Sequence, residues 1–117
     1  MVRIKRIFEK KSPDDGYRVL VDRQWPRGVR KESAALDYWA KELSPTEELR
    51  EFYHHDPKRW RAFQARFRQE LKTAAALKTL MDLAELSKSR TVTLLFGSRE
   101  LAMNNAAVVK EVLEGLL

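Results

Sequence analysis

The sequence predicts a single α/β domain over residues 1–117, with a small sheet of three to four strands flanked by helices. Three observations carry that expectation. Short β-branched runs stand at Val19-Leu20-Val21 and again at Thr91–Phe96. Between and after them, apolar residues recur at three- and four-residue spacing, the period of an amphipathic helix. At 117 residues and 44% hydrophobic, the chain has the length of one domain and enough apolar side chain for a core without disulfide or metal staples.

Taken in order, the first strand is Val2–Phe8, with Val2 and Ile4 on one face and Arg3 and Lys5 on the other. Ser12-Pro13-Asp14-Asp15-Gly16 is a turn cluster. The second strand, Tyr17–Asp22, has the continuous apolar centre of a strand covered on both faces. The connection between these two strands is too short for a helical crossover, so they form a hairpin or are not neighbours. Ala34–Leu43 is expected to be helical. Ser44-Pro45-Thr46-Glu47 reads as a capping box with proline at the first helical position, opening a short helix to about Tyr53. Asp56-Pro57 repeats the device: Asp56 caps and Pro57 opens a long helix whose buried stripe is Trp60, Phe63, Phe67 and Leu71. The pattern either continues or breaks before Leu77–Leu86. Thr91–Phe96 is a third strand, ended by Gly97. A last helix from about Asn104 to Leu116 is expected to bury Ala107, Val108, Val112 and Leu116.

Composition narrows the function. There is no cysteine, which excludes disulfides, thiolate metal sites and a cysteine nucleophile. No run of about 18 apolar residues spans a membrane. The N-terminal MVRIKRIFEKK has no apolar stretch of the signal-peptide kind, so a cytoplasmic location is expected. The net charge of +6 favours acidic partners, although 17 acidic residues are interspersed with 23 basic ones. Triad, P-loop and dinucleotide signatures are absent, and no cofactor is expected.

The most informative segment is Val21-Asp22-Arg23-Gln24-Trp25-Pro26-Arg27-Gly28-Val29. A buried strand delivers an acid, two arginines and a tryptophan to its carboxyl end, where ligands bind in open α/β sheets. Pro26 and Gly28 specify the loop's conformation. Arg23 and Arg27 offer planar donors for carboxylate or phosphate, and Trp25 a stacking wall. A purely structural reading stands beside this one: Asp22 and Arg23 close the sheet end and Trp25 plugs the core. Gly97, after the third strand, can present a backbone N–H to an anion, and Asn104 or Asn105 caps the last helix. His55 is the candidate acid or base, with Asp22 orienting Arg23 or Arg27. The two adjacent histidines match no zinc spacing, and no metal site is expected. Lys58, Arg61, Arg68 and Lys72 form a basic line on the long helix that either tracks phosphates or is solvated.

The segments VDRQWPRGVRKE, FYHHDPKRWRAF and VTLLFGSRELAMNNAAVVKEVL closely resemble the YeaO-like family of uncharacterised bacterial proteins, in order and spacing, over nearly the whole chain. The resemblance implies a small cytoplasmic α/β domain with no established cofactor. It carries over to Asp22, Arg23, Trp25, Pro26, Arg27, Gly28, His55, Asp56, Pro57, Gly97 and Asn104. Two positions depart from it: Met103 stands where the family often has histidine, and Phe96 where it often has tyrosine. A more distant, longer group shares the first motif but carries cysteines near the last strand, so thiol chemistry of that kind cannot operate in this chain.

The leading expectation is therefore a domain that binds a small anionic or phosphorylated ligand at the end of the second strand, through Arg23, Trp25, Arg27, Gly97 and Asn104. The alternatives are a nucleic-acid-binding accessory, with weak binding by the basic helix face, and an interaction protein anchored on Trp25 or Trp39.

Overall fold

A computed structural model describes all 117 residues. The strands are β1 (Val2–Arg6), β2 (Tyr17–Leu20), β3 (Tyr38–Trp39) and β4 (Val92–Phe96). The helices are α1 (Lys31–Ala34), α2 (Glu47–Tyr53), α3 (Trp60–Glu70), α4 (Ala74–Ser87) and α5 (Asn105–Gly115). The sheet runs β1-β4-β2-β3 and all its pairs are parallel. β1 and β2 are thus not a hairpin: each pairs with β4, Val2 and Tyr17 both lying opposite Val92. β4 is central and every residue of it is buried, including Thr93, whose hydroxyl donates to Asp15 O at 2.6 Å.

The two faces of the sheet are covered differently. On one, Val19, Val21, Leu94 and Phe96 join Leu49, Phe63, Phe67, Leu80, Val108 and Leu113 from α2 to α5 in the main core. On the other, Leu20, Leu95 and Ile7 pack with Ala34 of α1, and Trp25, Val29, Leu36 and Trp39 close over them.

Most expected elements form, and three differ, while the one left open is resolved. Ala34–Leu43 is not a helix. α1 stops at Ala35, whose φ is 46°, and Tyr38–Trp39 pairs with β2 before a 3-10 turn at Lys41–Leu43. The open edge of β2 decides this: Asp37 N–H donates to Arg18 O at 2.9 Å and Ala40 N–H to Leu20 O at 2.8 Å. The cap of α2 is Thr46, not Ser44. Thr46 Oγ1 accepts Leu49 N–H at 3.2 Å, while its own hydroxyl and amide donate to Glu70. The long helical pattern breaks after α3, and Thr73 caps α4 by accepting Ala76 N–H. The buried face of α5 is Ala106, Val108, Val109 and Leu113, with Ala107 and Val112 flanking it and Leu116 48% exposed. Of the four expected inner residues, Val108 is buried, Ala107 and Val112 are half-buried, and Leu116 is not covered. The stripe's rotation was set by α5 lying across β1 and β4 beside α4.

The cap read from Asn104 is present; Asp56 caps a 3-10 turn, Pro57–Arg59, that leads into α3, and α3 itself starts at Trp60 without a side-chain cap. Asp56 Oδ1 accepts Lys58 N–H at 3.0 Å, and Asn104 Oδ1 accepts Ala107 N–H at 2.8 Å. The turn before β2 closes as a reciprocal cap between Ser12 and Asp15.

Candidate functional site

The parallel neighbours β2 and β4 send the chain to opposite faces of the sheet. After β2 it runs to α1 and the smaller core; after β4 it runs to α5 and the main core. Divergence of adjacent strands opens a crevice at their carboxyl ends, the usual ligand position in such sheets. A cleft of about 220 Å³ lies there. Its walls are Asp22, Arg23 and Gln24 after β2, Pro45, Arg50, Tyr53 and His55 around α2, Phe63 of α3, and Ser98, Asn104 and Asn105 after β4.

Asp22 forms the floor. Its Oδ2 accepts Gly97 N–H at 2.8 Å, and its Oδ1 accepts the Asn105 side-chain amide at 3.1 Å. Asn105 also donates to Val21 O at 2.9 Å, and Trp39 Nε1 donates to Asp22 O at 2.7 Å. One carboxylate thus ties the end of β2 to the end of β4 and to the start of α5. Burial raises the Asp22 carboxyl above the ordinary carboxylate range, against the lowering pull of Asn105, Gly97 and the Arg50 charge.

Arg23 is oriented by backbone, not by Asp22: its Nε donates to Pro45 O at 3.0 Å and Nη2 to Ser44 O at 3.4 Å. No carboxylate pairs with it. Arg50 has one distant ionic neighbour, Glu47 at 3.9 Å, with both side chains about half exposed. Both guanidinium charges therefore remain available to an anion.

His55 reaches the cleft through an unusual backbone. His54 and His55 have φ of 41° and 53°, both left-handed, a region that costs an L-residue roughly 1–2 kcal/mol. The reversal out of α2 brings the His55 ring to 5.9 Å from the Tyr53 ring. Tyr53 itself is held by its hydroxyl donating to Met103 O at 2.7 Å. Because His54 is exposed and is the left-handed cap of α2, His54→Gly should stabilise the fold by up to about 1 kcal/mol, read from the urea midpoint. A loss of stability would mean that the imidazole makes a contact worth more than the strain.

The sequence-derived candidates divide between cleft and elsewhere. Asp22, Arg23, His55 and Asn104 line the cleft. Asn104, 2% exposed, is consumed as a cap, its amide nitrogen donating to Glu100 O at 2.8 Å. The N–H of Gly97 is taken by the chain's own Asp22 carboxylate. Trp25 and Arg27 are not among the lining residues. Trp25 donates its indole N–H to Val29 O at 2.7 Å and packs edge-on against Trp39, 5.3 Å between ring centroids, over the smaller core. Arg27 is exposed, and Asp22 bonds neither it nor Arg23. In the basic line of α3, Arg68 is paired with Glu111 of α5 at 2.7 Å.

Arg50 and Asn105 were missed as site residues. Nothing local distinguishes Arg50 from a solvated helix arginine, and either Asn104 or Asn105 could have been the cap. The one legible signal was the Asn-Asn pair following a strand and glycine: one amide caps, which releases the other. The remaining cleft hydroxyl, Ser98 Oγ, accepts Glu100 N–H at 3.0 Å. No three His, Cys, Asp or Glu side chains converge as metal ligands would. No helix is long and apolar enough to cross a membrane.

Fold, cleft and motif order together define a class. A family model described as the inactive DUF488-N3 subclade matches residues 1–117, and the chain belongs to that family. Among individual proteins, it is 43% identical to the uncharacterised protein Rv3073c of Mycobacterium tuberculosis over 114 residues, covering 97% of this chain and 94% of that protein. It is 36% identical to the uncharacterised protein YeaO of Escherichia coli over 115 residues, 98% of each chain. The resemblance read from the motifs is thereby confirmed. No solved structure matches.

Proposed function

We propose that the cleft binds a small anion, a carboxylate or phosphate-bearing compound, as a recognition site and not as a centre of turnover. The observation that carries this reading is the pair Arg23 and Arg50, two guanidinium groups without a close carboxylate partner at a strand-end crevice. Asn105 and His55 add donors on the same walls. The description of the family as inactive, and a cleft serine whose Oγ is engaged by a backbone amide, support binding without reaction. The volume suits a small ligand, since sites for drug-sized molecules run to about 300–1,000 Å³.

The test is titration calorimetry and thermal shift with inorganic phosphate, small phosphate esters and short carboxylates. A ligand at about 100 times its Kd stabilises the native state by about 2.7 kcal/mol. Arg50→Ala should weaken binding at least about tenfold, since a hydrogen bond to a charged group contributes about 1.5–3 kcal/mol. Arg27→Ala, outside the cleft, should leave affinity unchanged. The opposite pattern, with Arg27 essential and Arg50 dispensable, would move the site to the loop; no binding by any of these anions would dispose of it.

A further inference from the structure

We infer that the ligand of this cleft is amphoteric: a small primary amine that also carries a carboxylate or phosphate, its ammonium against Asp22 and its acid group against Arg50 and Arg23. This rests on the anion reading above and adds the other half of the molecule.

Three observations carry it. Asp22 forms no ion pair. Each of its oxygens has a single neutral donor, Gly97 N–H on Oδ2 and the Asn105 amide on Oδ1. A carboxylate accepts at about four lone-pair positions, so half of its capacity is unused. A largely buried carboxylate keeps its charge cheaply only beside a cation. The fold brings one near and does not deliver it: the Arg50 charge bears on Asp22, yet the two make no salt bridge. Opposite charges thus line one small cavity without touching. A simple anion seated there would meet the arginines and be repelled by Asp22; a simple amine would meet the reverse. A molecule with both ends satisfies both walls, and the cavity volume suits an amino acid or an aminoalkyl phosphate.

Matched pairs that differ only in the amine test this directly by calorimetry: β-alanine against propionate, γ-aminobutyrate against butyrate, and phosphoethanolamine against ethyl phosphate. The carboxylate and phosphate arms identify which acid group the arginines take. In at least one pair the amine should bind roughly tenfold or more tighter than its partner, the effect of one partly desolvated charge-assisted contact. Asp22→Asn should bring the two affinities within each pair together, read as their ratio in the variant and not as absolute affinity, because the charge that meets the ammonium is gone. Equal affinity within every pair would overturn the amphoteric ligand and leave the anion site standing. A preference that survives Asp22→Asn would overturn the role of Asp22. Failure of all compounds, amine-bearing or not, would remove both readings. The wild-type ratios need no variant, so they decide whether the ligand is amphoteric even if Asp22→Asn folds poorly.

Discussion

Asp15→Ala is expected to cost about 3–5 kcal/mol, a large part of the roughly 5–15 kcal/mol that holds a domain together. Asp15 and Arg18 are each 1% exposed and pair at 2.5 Å, and Lys5 Nζ reaches the other Asp15 oxygen at 2.9 Å. The remaining Arg18 donors, Nε and Nη2, go to Ala34 O at 3.0 and 2.7 Å. Removing the carboxylate leaves a guanidinium buried under α1 with no counter-charge. Urea unfolding at pH 7 measures the effect; a loss below about 1 kcal/mol would mean that water enters and solvates Arg18.

The same group sets the acid side of the stability profile. Burial by itself raises the Asp15 carboxyl, but the Ser12 amide and the Lys5 and Arg18 cations outweigh it and hold it below the ordinary range. The folded pKa is therefore lower than the unfolded one, near 3.9. Stability from this group is complete above about pH 4 and is lost as pH falls through the folded value. The wild type should lose stability steeply below about pH 4, and Asp15→Ala should lack that component of the slope.

Gly16→Ala is the second large effect, at about 3 kcal/mol or more from left-handed backbone and overpacking together. Gly16 has φ of 62° at the entry to β2, and a Cβ there would lie 2.2 Å from the Thr91 carbonyl oxygen. That oxygen accepts Tyr17 N–H at 2.9 Å, so it cannot withdraw without opening the β2–β4 ladder. Soluble yield and thermal midpoint should both fall, whereas Gly28→Ala, with open space about its Cβ, should cost only its φ strain. Equal effects at the two glycines would show that the close approach at Thr91 is relieved by movement.

Arg18 and Asp15 show where legibility ended. Both stood in segments read correctly as strand and turn. The pair is three residues apart, but what surrounds it is not local: its further partners Lys5 and Ala34 are 10 and 16 residues away from Asp15 and Arg18. The cleft followed the same division. Asp22 and Arg23 were legible because they follow a strand within three residues. Trp25 and Arg27 follow the point where the chain crosses to the other face of the sheet, and alternation along a loop does not reveal that crossing.

By itself the sequence determined what local physics determines: the apolar runs of β2 and β4, the aromatic stripe of α3, the caps at Asp56 and Asn104, and the fold class. Tertiary structure decided which edge of β2 would recruit Tyr38–Trp39, how α5 would be rotated, and that Arg50 and Asn105 would line one cleft with Asp22. Periodicity and capping are set within a turn or two of chain. Strand order and the direction of a loop side chain depend on partners far away in sequence, and in this fold the outward divergence of two neighbouring strands chose them.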